Sequence, residues 1–174
     1  MLSRPPHLSA LEVRLATVAD REPLHRMLEL YQYELSDIWD QDIDGAGEYG
    51  YALERYWENF GNYAYVALFD GRYAGFALVD DQVKLPGGQY WMDQFFVLKK
   101  YRSRGLGREL AASVIARHPG QWQIGQMVDN HPAQRFWRKA HGAIGAREFQ
   151  ECVIATGWWK GHVQQFESEA RSAA

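Results

Sequence analysis

The chain has a single cysteine, Cys152, so no internal disulfide can form, and a reducing cytoplasm suits it. It lacks the run of roughly 18 apolar residues that a membrane span needs, so no membrane partner is expected. Met1 to Leu11 also lack the roughly 7–15-residue apolar core of a signal peptide. There is no cationic excess: the net charge of −3 excludes a generally basic nucleic-acid binder, because neutralising phosphates takes surplus Lys and Arg. Glycines 105 and 107 lack the Lys-Ser/Thr of a nucleotide P-loop, which disfavours ATP or GTP hydrolysis. The six histidines show no metal-ligand spacing, so no metal is expected. No internal repeat or linker divides the 174 residues, which are enough for one sizeable core.

What the chain has in quantity is aromatic residues, 14% of the total, pointing to a core or pocket lined with rings. Residues 1–11, with Pro5 and Pro6, read as a flexible extension; 12–166 form one domain; 167–174 read as a flexible tail. Glu12-Val13-Arg14-Leu15 alternates as a short strand. Asp20 suits an N-cap and Pro23 a first turn. Leu24, Met27, Leu28, Tyr31 and Leu35 then repeat at helical spacing, predicting a helix to about Leu35.

From Glu34 to Glu58 the composition shifts. Glu34, Asp37, Asp40, Asp42, Asp44, Glu48, Glu54 and Glu58 face a single basic residue, Arg55. Tyr31, Trp39, Tyr51, Tyr56 and Trp57 are among the rings interleaved with them. Such a segment suits capture of a cationic ligand, by Coulomb attraction and cation–π contact, with Tyr31 and Trp39 as contacts. It equally suits a solvated acidic loop whose rings cap the core. A second helix is expected to resume near Tyr51.

Tyr63 to Phe69 and Tyr73 to Val79 read as a hairpin about Asp70-Gly71. Another strand covers Tyr90 to Val97. A short basic loop follows, Lys99-Lys100-Tyr101-Arg102-Ser103-Arg104-Gly105-Leu106-Gly107, and then a helix carrying Leu110, Ala111, Val114 and Ile115. Converging backbone N–H groups and the positive helix end make that turn an anion site. Glycine at 105 and 107 lets the backbone approach a phosphate. The helix stops near His118-Pro119-Gly120, with His118 read as a helix-end cation, and Trp122 to Val128 is strand-like. Strand, crossover helix and strand imply a parallel pair with right-handed connection. The fold class is therefore α/β with a mixed, mostly antiparallel sheet, and the crevice beyond the first parallel strand is the expected site. Asn130 and Pro132 start a further helix with Ala133, Phe136, Trp137 and Ala140, and residues 146–166 read as two closing strands around Gly157. Cys152 is expected in the core, and Trp158-Trp159 suit a packing or homodimer surface.

These residues resemble the GNAT N-acetyltransferase family. Arg102-Ser103-Arg104-Gly105-Leu106-Gly107 is similar to its Arg/Gln-x-x-Gly-x-Gly/Ala loop, and Asn130 followed by Phe136-Trp137 to its downstream helix. The resemblance covers roughly residues 12–166 and implies the acyl-CoA N-acyltransferase fold, its central parallel pair splayed into a V. It implies acetyl-CoA as co-substrate, with pyrophosphate on the amides of Arg102 to Gly107. Pantetheine would pair with the backbone of Phe96 and Val97, between Asn130 and Phe136, with Trp137 alongside. Direct acetyl transfer to a primary amine would follow, the Val97 amide polarising the thioester carbonyl.

An alkyl amine is protonated at pH 7, and losing that proton costs roughly 4–5 kcal/mol. A carboxylate can take it. Asp93 on the strand is the first candidate base, and Glu34 at the end of the first helix the second; the competing reading of Asp93, and the one the residues favour, is a strand-end acid bonded to a neighbouring backbone group. Relatives usually carry Tyr where this chain has Trp137, whose indole is no usable acid. Either another tyrosine protonates the leaving thiolate or it leaves as it is. A small cationic amine is the expected acceptor; a protein or peptide amine, or a sensor that binds acyl-CoA without chemistry, are the rivals.

Overall fold

The computed structural model describes residues 11–169, so the extension read over 1–11 and the tail over 167–174 lie largely outside the described residues. Leu11 opens the first strand, and Glu167 and Ser168 close the last.

The elements run β1 (Leu11–Leu15), α1 (Arg21–Trp39), α2 (Arg55–Glu58), β2 (Tyr63–Phe69), β3 (Arg72–Asp80), β4 (Tyr90–Val97), α3 (Leu106–Ile115), β5 (Gly120–Met127), α4 (His131–Ile144), β6 (Ala146–Ile154) and β7 (Gly161–Ser168). One sheet takes them in the order β1-β2-β3-β4-β5-β7-β6. Among the described residues only β4 and β5 are parallel; every other pair is antiparallel. β2 and β3 turn tightly because Asp70 and Gly71 both take left-handed backbone, φ 50° and 72°.

Both faces of the central strands are covered, which is why β2 and β3 read as continuous apolar runs rather than alternating ones. On one face Tyr65, Ala77, Val79, Met92, Trp122 and Phe166 meet Leu110, Ala111, Val114 and Ile115 of α3 and Trp137, Ala140 and Ile144 of α4. On the other, Ala64, Phe76, Leu78 and Phe96 meet Leu24, Met27 and Leu28 of α1 and Tyr56 of α2.

Several expectations are corrected. α1 runs on to Trp39, ending where Asp40 turns left-handed, φ 50°. Tyr31, Leu35 and Trp39 thereby share one face at i, i+4 spacing. Asp20 caps no N–H of α1. Its backbone is already helical, and its buried carboxylate turns back to Arg14 Nη1 and Nη2 (2.7 and 2.9 Å), Tyr73 Oη (2.6 Å) and the Thr17 amide (2.7 Å). The Arg14 bond, helped by Tyr73 and Thr17, holds that carboxyl far below the usual range and ties β1 to β3. The second helix is one turn and starts at Arg55 rather than Tyr51. The Glu29 carboxylate accepts the N–H groups of Tyr49 and Gly50 (2.7 and 3.0 Å), and Gly50 is left-handed (φ 71°), so that stretch is held outside a helix. Cys152 is exposed because β6 is an edge strand: its neighbour Glu151 turns to Arg138 of α4, so by alternation Cys152 faces away from that helix.

His118 is no helix-end cation. It is buried among Tyr63, Tyr65, Tyr90 and Trp122, with Nε2 2.8 Å from Tyr65 Oη. Burial, reinforced by Arg117, pushes its pKa down to about 4, so it is neutral inside the fold. The unfolded chain takes up that proton below about pH 6.5, whereas the folded one does so only near pH 4. This contribution is therefore complete above pH 6.5 and is lost as pH falls toward 4, an expected loss of up to ~3 kcal/mol. Urea unfolding at stepped pH should show His118→Gln losing measurably less stability than the parent over that window; identical curves would refute the assignment.

Candidate functional site

The site begins where the sheet comes apart. β4 and β5 pair only through Tyr90↔Trp122, Trp91↔Gln123 and Met92↔Ile124. At that point the register with β3 passes from Val79↔Met92 to Leu78↔Gln94, leaving Asp93 as the extra residue of a β-bulge. The bulge bends β4 away from β5. Beyond it, Leu98 N–H bonds Ala74 O (2.8 Å), so by alternation the polar backbone groups of Phe95 and Val97 face the gap. Phe96 lines the gap with its backbone turned to β3.

α4 forms the opposite wall. Asn130 starts it by accepting the Ala133 N–H on Oδ1 (3.2 Å). Phe136 stacks on Phe95 with ring centroids 5.5 Å apart, and Trp137 meets Phe95 edge-on at 4.9 Å. A Cβ on Gly107 would lie 3.0 Å from Phe136 Cε2. Glycine at 107 thus suits close packing of α3 on α4, where a Cβ would push the Phe136 ring back by a few tenths of an ångström, a reason additional to ligand approach.

At the head of α3, Ser103 (φ 61°) and Gly105 (φ 84°) are left-handed. Such alternation gathers successive N–H groups into a concave nest, and the helix adds its positive end. Among the described residues, no acceptor reaches the N–H groups of residues 103–107. The arrangement fits a phosphate or pyrophosphate. Arg102 is pinned rather than mobile. Its Nε bonds Val97 O (2.7 Å), its Nη2 bonds Glu34 Oε2 (2.7 Å), and its guanidinium lies 5.3 Å over the Phe96 ring. Together, β4, this loop and α4 enclose a cavity of about 570 Å³ that Tyr31, Glu34, Val97, Arg102, Asn130 and Phe136 help to line.

A second cavity, about 270 Å³, adjoins it, and Tyr31, Leu35 and Asn130 border both. Trp39, Tyr51, Lys84, Trp91 and Asp93 line this one. The two candidate acids are therefore apart, Glu34 paired to Arg102 beside the loop and Asp93 in the second cavity. The segment 34–58 brings rings here rather than free carboxylates; Asp44, for example, holds the amides of Ala46 and Glu48 (2.8 and 3.0 Å).

Asp93 Oδ2 accepts Tyr56 Oη (2.6 Å), Arg55 Nη2 (2.7 Å) and the Tyr51 hydroxyl, while Oδ1 has no partner among the described residues. Arg55 also lies 3.1 Å from Asp80 Oδ2. That contact is an ion pair without hydrogen-bond geometry, and Asp80 Oδ2 is buried with no donor. Burial and then the Asp93 charge push the Asp80 carboxyl up to about 6. Burial and Asp93 likewise push the Tyr51 hydroxyl up to about 12 and the Tyr56 hydroxyl higher still, so both remain donors. For Arg55, partial burial works against the charged form, but Tyr56 and Asp93 outweigh it and its pKa rises. Sequence reasoning did not assign Arg55, Tyr51, Tyr56, Asp80 or Lys84 to the site. One signal was available: Arg55 is the single cation among eight acids. Among the described residues, no group of three or more His, Cys, Asp or Glu side chains could hold a metal, and no helix is long and apolar enough to cross a membrane.

Residues 23–143 match the family model described as Acetyltransferase (GNAT) family. No curated protein matches the chain. Solved structures share its fold across nearly their whole length. A GNAT-family acetyltransferase from Streptococcus agalactiae is 17% identical with a TM-score of 0.68, over 91% of this chain and 96% of that one. The Salmonella typhimurium protein yncA, solved with its cofactor acetyl-CoA, is 19% identical with a TM-score of 0.61, over 95% and 97%. An aminoglycoside acetyltransferase in complex with coenzyme A is 18% identical with a TM-score of 0.63, over 93% and 95%.

Removing Arg55 strands two carboxylates. Arg55→Gln should cost roughly 2–3 kcal/mol, below the 3–5 typical of a fully buried pair because the arginine is partly exposed. Adding Asp80→Asn should recover about half or more. Urea unfolding of both variants checks this, and equal stability of Arg55→Gln and the parent would sink the account.

Proposed function

The chain belongs to the GNAT acetyltransferase family, and from that premise we propose that it transfers the acetyl group of acetyl-CoA directly to the primary amine of a small acceptor that arrives as a cation. The observation that carries this reading is the pair of adjoining cavities meeting at the bulge, one with an anion nest and the other with a carboxylate oxygen left open. The coenzyme A bound to structural neighbours supports the first half.

In this reading the N–H groups of residues 103–107 hold the pyrophosphate. The open backbone of Phe95 and Val97 pairs with the pantetheine arm, between Asn130 and Phe136. Arg102 already occupies Val97 O, which leaves the Val97 N–H to polarise the thioester carbonyl as charge develops there. Asp93 Oδ1 accepts the amine proton, its other oxygen being engaged by three donors. The freed nitrogen bonds the carbonyl carbon, the C–S bond breaks, and the nitrogen sheds its second proton to solvent water to leave the neutral amide. Tyr31 then gives the thiolate a proton and regains one from Asp93, so the amine proton ends on sulfur. Tyr31 is the tyrosine that lines both cavities, and burial together with Asp93 raises its pKa, keeping the hydroxyl protonated. Glu34 is better placed to orient Arg102 than to act as base.

Free CoA released on a panel of small amines tests the reading. Acetyl-CoA should raise the melting temperature, and at least one small amine should release CoA. Stabilisation with no release on any amine would make the protein a sensor, and release on peptides alone would make it a protein or peptide acetyltransferase. Gly107→Val should abolish the acetyl-CoA shift. Asp93→Asn should lower kcat about 10²–10⁴-fold; an unchanged rate would remove Asp93 as base.

A further inference from the structure

Lys84 stands on the β3–β4 connection and has no place in the chemistry above. Its ammonium lies 4.6 Å from the Trp91 ring centroid and 5.0 Å from that of Trp158, at the wall of the acceptor cavity. The connection is held for it. Gln123, fully buried, accepts the Lys84 and Leu85 N–H groups on Oε1 (2.8 and 2.9 Å) and donates Nε2 to Leu85 O (2.7 Å). Gly88 belongs to the same fit, since a Cβ there would lie 2.6 Å from Gln123 Nε2.

The two cations at the cavity, Arg55 and Lys84, are not engaged alike. Arg55 is committed to Asp93 at 2.7 Å and Asp80 at 3.1 Å. Lys84 has no carboxylate within ion-pair distance among the described residues, and its one bond is to Gln82 O (2.8 Å). Desolvation lowers its pKa even though Asp80 and Asp93 act in the opposite direction. It is a cation held against two tryptophans and short of a counter-ion. Across the same cavity Asp93 Oδ1 is an anion short of a donor.

We propose that the acceptor is a small zwitterion, whose primary amine meets Asp93 and whose compact anionic group, a carboxylate in the first instance, meets Lys84. This rests on the acetyl-transfer reading and narrows it. A cavity of about 270 Å³, at ~30 Å³ per water displaced, has room for an acceptor of about ten non-hydrogen atoms. That is amino-acid size. A polyamine would instead place its second cation against Lys84, which like charges oppose.

The experiment compares CoA release on free L-amino acids, their C-terminal amides and the matching alkylamines, for the parent and Lys84→Met. The parent should favour the free acid over its amide about 10- to 100-fold in kcat/KM, the range of one charge-assisted bond. Lys84→Met should erase most of that preference, through KM rather than kcat, with the acetyl-CoA thermal shift retained. A parent that prefers amides or alkylamines overturns the proposal while leaving acetyl transfer intact. So does an equal loss on acid and amide in Lys84→Met, or mass-spectrometric acetylation of Lys84 itself with acetyl-CoA alone. Turnover of no amine at all would bring down both readings.

Discussion

The parting of β4 from β5 after three residue pairs is the constraint on which the rest of the structure depends. A backbone that leaves its ladder must find other partners or stay open to a ligand. The bulge at Asp93 makes the parting, and the same extra residue swings a carboxylate into the gap. The edge groups of Phe95 and Val97 are left facing that gap. Phe95, stacked on Phe136 and met edge-on by Trp137, closes the far side, and α3 and α4 stand close at Gly107.

Opening a sheet this way carries a charge problem. Asp80 ends β3 in the interior, close to the bulged Asp93, and two carboxylates in a poorly solvated place repel each other. Arg55 answers both, and two tyrosine hydroxyls share the load on Asp93. The single turn of α2 therefore has an electrostatic purpose beyond packing. It also explains why one side of the Asp93 carboxylate is saturated and the other is open.

The half of the candidate site built on the anion nest was legible in the chain because its parts are consecutive. Strand, loop, glycines and helix lie within residues 90–115, and their chemistry is mostly backbone N–H groups and a helix end. Asn130 as the start of α4 was legible for the same reason, since capping is a local event. The half built around Asp93 was hardly legible. Asp93 meets Arg55 across 38 positions, and Gln123 holds the Lys84 connection across 39. No periodicity announces such pairs. Local reading also misplaced His118 and Cys152, because exposure depends on what a strand or helix end packs against. At His118 the cluster of Tyr63, Tyr65, Tyr90 and Trp122 gathers from three strands, β2, β4 and β5.

By itself the sequence determined the order and kind of the elements, the parallel crossover and the anion loop. These follow from hydrophobic period, glycine placement and helix-start chemistry, all short-range. Only the tertiary structure decided where the sheet opens, which carboxylate oxygen is spoken for, and which cation is left without a partner. Those depend on distances between residues far apart in the chain, and on how much water the packed walls leave around each charge.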